Sequence, residues 1–94
     1  MKLSEFGDSA IYVIEEIIKE SLSNQEDVSI MVSLLNIRNF TEDIDLLTDD
    51  DNNVLYSVKL KDLIKNGIEE SDLFNICCQG WVLSDNKDCL IKKI

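Results

Sequence analysis

Six carboxylates lie within ten residues of this chain, with no basic residue among them: Glu42, Asp43, Asp45, Asp49, Asp50 and Asp51. Carboxylates gathered in this way can perform acid–base catalysis, hold a metal ion, or form an acidic surface that a cationic partner contacts. Each of these three functions requires different neighbouring residues, so the rest of the sequence indicates which of them is favoured.

The segment that starts at Asp49 matches only the first part of the EF-hand calcium-binding pattern. Oxygen ligands occupy its first, third and fifth positions, which are Asp49, Asp51 and Asn53. An EF-hand loop also needs glycine at its sixth position and a bidentate glutamate at its twelfth, where this chain has Val54 and Leu60. We therefore predict a hairpin turn here, and a calcium turn of another kind is the alternative.

Side chains that activate nucleophiles or bind phosphate are scarce. The chain has no histidine, which removes the usual Ser-His and Cys-His catalytic pairs and the zinc sites that contain histidine. The three glycines are too far apart to form a phosphate-binding loop, and Arg38 is the single arginine. We predict that the protein is not an enzyme and has no cofactor and no metal site.

The three cysteines, Cys77, Cys78 and Cys89, form neither a CxxC motif nor an even-numbered disulfide framework. Apolar neighbours around Cys77 and Cys78 favour buried, reduced thiols, and a thiol-responsive regulator is the alternative. Reduced thiols, together with an N-terminus that lacks the apolar core of a signal peptide, predict a cytoplasmic location. No apolar run reaches the roughly 20 residues of a membrane span.

The net charge of −10 comes entirely from the N-terminal half of the chain. Residues 1–53 contain thirteen acids and three bases, whereas residues 54–94 contain six acids and six lysines. An acidic surface repels nucleic acid and anionic membranes, and it attracts a basic protein. We therefore expect a basic protein partner, with no direct binding to nucleic acid or to membranes. A surface that serves only to keep the protein in solution is the alternative.

Hydrophobic periodicity predicts an amphipathic helix over residues 9–22, with its isoleucines on one face and its charged side chains on the other. Residues 26–37 fit two patterns. Val28, Ile30, Val32 and Leu34 alternate as in a strand, while Val28, Met31 and Leu35 have helical spacing. The β-branched residues favour a strand.

Alternating apolar residues predict strands over residues 39–47 and 54–60, joined by a turn rich in aspartate and asparagine. Asp43 and Asp45 then share one strand face. Short helices are expected over residues 61–67 and 71–80, which end at Gly67 and Gly80. Trp81 is expected in the core, and residues 81–94 are expected to form a final hairpin.

These elements predict a small single α+β domain over residues 1–94, with the N-terminal helix on a mainly antiparallel sheet and one or two short helices before the C-terminal hairpin. We expect a stoichiometric binding or inhibitor protein, of the type of a phage or mobile-element inhibitor, an immunity protein or an antitoxin, with the six acids as its contact residues. The alternative is a structural or assembly subunit that forms a homodimer through the isoleucine-rich helix or through the strand "CLIKKI" as an edge strand.

Overall fold

The computed structural model describes all residues, 1–94. The elements in chain order are a 3-10 segment (Leu3–Ser9), α1 (Ala10–Ser21), a second 3-10 turn (Leu22–Asn24), α2 (Ile30–Arg38), β1 (Ile44–Thr48), β2 (Val54–Lys59), α3 (Leu60–Lys65), α4 (Glu70–Cys78), β3 (Val82–Leu83) and β4 (Cys89–Lys93). The four strands form one antiparallel sheet in the order β1-β2-β4-β3. The predicted α+β class is confirmed. None of the helices combines the length and the apolar character that crossing a membrane requires.

The predicted N-terminal helix is present as α1, and its isoleucine face is part of the core. Ile14 and Ile17 are buried, whereas Glu16 and Glu20 on the other side are exposed. The helix packs mainly against α4 and also contacts β3. Because this apolar face is already covered, it is not available for the homodimer contact that the sequence had offered as an alternative.

The strand expected over residues 26–37 is wrong, because residues 30–38 form α2. The Ser29 hydroxyl accepts a hydrogen bond from the Val32 N–H at 3.3 Å and caps the helix. The buried side chains are Ser33, Leu34 and Ile37, which share a helical face. Burial thus follows one face of a helix, but not the face that Val28, Met31 and Leu35 indicated, because Met31 and Leu35 are exposed.

The predicted hairpin of β1 and β2 is confirmed, although β1 begins at Ile44, later than the pattern indicated. In its register Ile44 lies opposite Val58, and Val58 lies opposite Leu90 of β4. These three side chains join the core on one face of the sheet. Asp43 precedes β1, so it does not share a strand face with Asp45 as predicted.

The two helices expected before the C-terminal hairpin are present as α3 and α4. Gly67 and Gly80 follow them with φ of 85° and 99°, a backbone conformation that favours glycine. Trp81 is fully buried, as predicted. The C-terminal hairpin also forms, but β4 lies between β2 and β3. The expectation that "CLIKKI" is an edge strand is therefore wrong.

Candidate functional site

The turn between β1 and β2 is built from the aspartates and asparagines themselves. The Asn52 N–H donates to the Asp49 carbonyl oxygen at 3.0 Å, which closes a four-residue turn. Asn52 has a positive φ of 63°, a conformation that asparagine tolerates better than most residues. The Asp49 N–H in turn donates to the Asn53 carbonyl oxygen at 3.0 Å and begins the ladder of the hairpin.

The carboxylate of Asp49 is used inside this turn. Its Oδ1 accepts hydrogen bonds from the backbone N–H groups of Asn53 at 2.8 Å and Asp51 at 3.0 Å. Its Oδ2 accepts from the Asn53 side-chain amide at 3.3 Å. The hydrogen bond from the Asn53 backbone, supported by the other two donors, holds the pKa of the Asp49 carboxyl below its ordinary value. Asp49 is therefore a residue that builds the turn.

The other five predicted contact residues are exposed and have no cationic partner. Lys87 and Glu15 form the single ion pair of the structure, at 2.8 Å. The exposed residues comprise three around β1 and two in the turn: Glu42, Asp43, Asp45, Asp50 and Asp51. Their carboxylates are also free of hydrogen bonds to other side chains or to the backbone. The fold thus leaves five negative charges uncompensated along one hairpin.

The distal part of this hairpin extends beyond the core. No residue from Asp45 to Val54 is buried. Three of its apolar side chains are largely exposed, at 61% for Leu46, 48% for Leu47 and 41% for Val54. The hairpin therefore presents aliphatic and acidic side chains together on the surface.

The first strand of the hairpin also has a free edge. Because Asp49 and Asn53 form a hydrogen-bonded pair, the alternation of an antiparallel ladder directs the backbone groups of Leu46 and Thr48 away from β2. β1 is the outermost strand on this side of the sheet. Its outward N–H and C=O groups are thus available to a further strand.

The structure gives no support to the calcium alternative. Asp49 directs both carboxylate oxygens to donors within the turn. No three acidic or cysteine side chains of the chain come close enough together to hold a metal ion.

The thiol alternative meets a similar obstacle at Cys77 and Cys78, which are free and buried. Burial raises the pKa of the Cys77 thiol to about 12, and burial followed by the nearby Glu26 carboxylate raises the pKa of Cys78. Reactive cysteines are instead thiolates in electropositive, partly exposed positions. The predicted burial is confirmed for this pair, while Cys89 is only half-buried.

Sequence reasoning missed a groove at the end of β2 that lies away from the acidic turn. Lys59, Lys61 and Lys87 line it together with residues of α1 and α3. These residues come from separate segments of the chain, so no local sequence motif predicts the groove. The concentration of lysines in residues 54–94 was the only signal that pointed to it.

Comparison with protein-family models, with curated proteins and with solved structures finds no match to this chain.

Proposed function

We propose that this protein is a non-enzymatic binding protein that inhibits or neutralises a basic protein by stoichiometric contact. Proteins that act in this way include inhibitors from phages or mobile elements, immunity proteins and antitoxins. The hairpin of β1 and β2 is the proposed contact element. Reduced, buried thiols favour the cytoplasm as its location.

The observation that carries this proposal is the set of five unpaired carboxylates around β1 and its turn, of which Asp45, Asp50 and Asp51 lie on the part of the hairpin that extends beyond the core. Like charges placed this close together repel one another and add nothing to the packing of the fold. A basic partner would relieve the repulsion, and the acidic field would accelerate its association. The exposed leucines and the free edge of β1 add apolar contact and backbone hydrogen bonds to the same surface.

A pull-down from a lysate of the source organism, with a charge-reversal variant beside the wild type, tests the proposal. The variant is Asp45→Lys/Asp50→Lys/Asp51→Lys, which leaves Asp49 and the turn intact. Its matched control carries the same change in charge on another exposed surface: Glu5→Lys/Glu16→Lys/Glu20→Lys.

The wild type and the control are expected to recover the same basic protein in a one-to-one complex that salt weakens, and the hairpin variant is expected to lose it. Calorimetry on the purified pair gives the stoichiometry. Equal binding by all three proteins, or recovery of an acidic partner, would show that the hairpin is not the contact element.

A second candidate function is an assembly subunit, and α2 supplies the observation in its favour. Met31 is 59% exposed and Leu35 is 56% exposed, one helical turn apart on the same face. Val32 at 44% lies beside them. The isoleucine face of α1 is covered and β4 is not an edge strand, so this apolar patch on α2 is the surface that would support a homodimer.

Size-exclusion chromatography with light scattering at several protein concentrations distinguishes the two functions. A homodimer through α2 would dissociate in the variant Met31→Glu/Leu35→Glu and would persist in the hairpin variant. A monomer at all concentrations would eliminate the assembly function and leave the binding protein.

A further inference from the structure

The groove at the end of β2 has the size and the lining of a small-molecule site. It lies between α1, the junction of β2 with α3, and the turn between β3 and β4, and its volume is about 510 Å³. Small-molecule pockets typically measure roughly 300–1,000 Å³. Its apolar lining comes from α1 and α3: Ala10, Ile11, Ile14, Leu60 and Ile64. Ile11 and Ile64 are half-buried, so part of this lining is open to a ligand.

The polar lining of the groove is basic, although the chain as a whole is acidic. The lining contains three lysines, Lys59, Lys61 and Lys87, and one acid, Asp88. The whole chain, in contrast, has 19 acids and 9 bases. Lys87 is paired with Glu15, and no other ion pair forms. Lys59 and Lys61 therefore form no ion pair and, together with Asp88, leave a net charge of +1 beside an apolar floor.

The lining also limits the kind of ligand. Eleven residues surround the groove, fewer than the roughly 20–30 residues that each partner contributes to a stable protein interface. The single arginine, Arg38, lies on α2 and is not among them, so the groove lacks the planar fork that binds phosphate in a bidentate manner. A small ligand with one negative charge and an apolar body satisfies both conditions.

We propose that this groove binds an aliphatic carboxylate. The hydrocarbon chain packs on Ile11 and Ile64, and the carboxylate is held by the ammonium groups of Lys59 and Lys61. Burial of methylene groups supplies the affinity, and the lysines select an anion over a neutral or cationic amphiphile of the same length. This function is independent of the hairpin, whose acidic turn precedes β2, while the groove lies at its last residue.

Nuclear magnetic resonance titration of the full ¹⁵N-labelled chain tests the proposal with a series of eight-carbon probes. Octanoate is expected to shift the amide signals of Ile11, Ile64 and Cys89 in a saturable manner. Octylamine and 1-octanol are expected to bind about five- to tenfold more weakly, since the two exposed charge contacts together contribute about 1 kcal/mol or slightly more. Equal responses to octanoate and to either other probe would overturn the proposal.

The charge requirement is tested with Lys59→Gln/Lys61→Gln, for which Lys19→Gln/Lys65→Gln is the matched control outside the groove. The groove variant is expected to bind octanoate about five- to tenfold more weakly, and the control to bind it as the wild type does. A thermal melt confirms that both variants are folded. Equal affinities in the two variants would overturn the role of the lysines.

A chemical readout follows the same groove, because Cys89 lines it while Cys77 and Cys78 are buried. Octanoate is expected to slow the alkylation of Cys89 by the uncharged reagent iodoacetamide. The same alkylation rate is measured with vesicles of phosphatidylglycerol in place of octanoate, which distinguishes binding of a free acid from binding of a lipid headgroup. Protection of Cys89 by vesicles but not by octanoate would overturn the assignment of a free carboxylate.

Discussion

Ser33 and Trp81 form a buried side-chain hydrogen bond that ties α2 to the residue following α4 and its C-terminal glycine. The Trp81 Nε1–H donates to the Ser33 Oγ, and both residues are fully buried. A buried indole N–H needs such a partner, because leaving it unpaired incurs the full cost of removing it from water. The serine thus accounts for a polar residue on the inner face of α2.

Replacement of Ser33 by alanine is expected to lower the free energy of unfolding by about 1–3 kcal/mol, since it removes the only side-chain partner of the Trp81 N–H. Urea unfolding followed by tryptophan fluorescence measures the change. Ser71→Ala is the control, because Ser71 is exposed in α4 and makes no side-chain hydrogen bond. Equal stability of Ser33→Ala and the wild type would show that the contact contributes nothing.

Cys77 makes stability depend on alkaline pH. The folded protein holds the pKa of this thiol at about 12, while the ordinary value is 9.0, because burial disfavours the thiolate. Since the raised pKa keeps the proton on the folded state, its contribution is fully present below pH 9 and is lost as the pH rises from 9 towards 12. The loss across this range is on the order of 2–4 kcal/mol.

Urea unfolding at intervals between pH 8 and pH 11, on the wild type and on Cys77→Ala, isolates this effect. The variant is expected to be less stable at pH 8, because a cavity forms, and to lose less stability on going to pH 11. All other ionisable groups are present in both proteins, so the comparison isolates the Cys77 thiol. Parallel pH profiles would contradict the buried, protonated thiol.

At the scale of elements, the C-terminal end of α4 connects the helices to the sheet. The Lys92 ammonium on β4 donates to the Gln79 carbonyl oxygen, at the end of the helix where a positive charge is favourable. The Gln79 side chain accepts a hydrogen bond from the Asn36 amide of α2 at 2.9 Å. One helix end thus fixes α2, α4 and β4 relative to one another.

Gly80 is the residue that allows this arrangement. Its φ is 99°, and a Cβ added to it would lie 2.5 Å from the Lys92 Nζ. Gly80→Ala is expected to destabilise the fold by about 1–2 kcal/mol through backbone strain alone, and by more because it displaces the lysine. Gly67→Ala has the same kind of strain, with φ of 85°, and its Cβ would meet Lys2 atoms only at 3.9 Å.

Thermal unfolding of both variants measures the difference between them. Gly80→Ala is expected to be the less stable, and the excess is expected to shrink when both substitutions are made in a Lys92→Met background. An excess that persists in that background would assign the cost to the backbone and not to the displaced lysine.

At the scale of the whole molecule, the core is apolar and the surface has many acidic side chains that form no ion pair. The chain has a net charge of −10 and forms a single ion pair. Its buried cluster is almost entirely apolar, so packing stabilises the fold while the uncompensated acids oppose it. Asp49 differs from the free acids of the hairpin, because its carboxylate builds the turn.

Neutralising the two free aspartates of the turn is expected to stabilise the protein at low salt. Asp50→Asn/Asp51→Asn removes mutual repulsion and breaks no hydrogen bond, so its melting temperature is expected to exceed that of the wild type. The gain is expected to disappear at high salt, because the screening length falls from about 10 Å at 0.1 M to about 3 Å at 1 M. Calorimetry across a salt series measures it.

Asp49→Ala is the contrasting variant, and it is expected to lower the melting temperature at every salt concentration. It removes the acceptor of three hydrogen bonds within the turn. If Asp50→Asn/Asp51→Asn were destabilising at low salt, the free aspartates would be part of the fold and not a surface left for a partner.

Much of the fold could be predicted from local sequence. The isoleucine periodicity of α1, the aspartates and asparagines before Val54, and Gly67 and Gly80 after two short helices each specify structure within a few residues. Most of the acids of the proposed contact surface could be placed on a hairpin for the same reason. The sequence could not show that Asp49 is hydrogen-bonded within the turn while the other acids are free, because a free and a hydrogen-bonded aspartate are identical in sequence.

Residues 26–37 show where local reasoning ends. Apolar residues occupy both the alternating and the helical positions, so the sequence admits a strand and a helix. In the structure Trp81, 48 residues further along the chain, donates a hydrogen bond to the Ser33 hydroxyl on the inner face of the helix, a contact that no local pattern reveals. Met31 and Leu35 lie on the outer side of the helix and are exposed.

The sequence by itself determined the fold class, the acidic character of the hairpin and the limits on catalytic chemistry, because periodicity, turn residues and residue types are local properties. The tertiary structure alone decided that residues 30–38 are helical, that β4 lies inside the sheet, and that lysines of separate segments share one apolar groove. These features depend on which distant surfaces bury one another. That choice is made by packing and hydrogen bonding across the whole chain, and no single segment contains it.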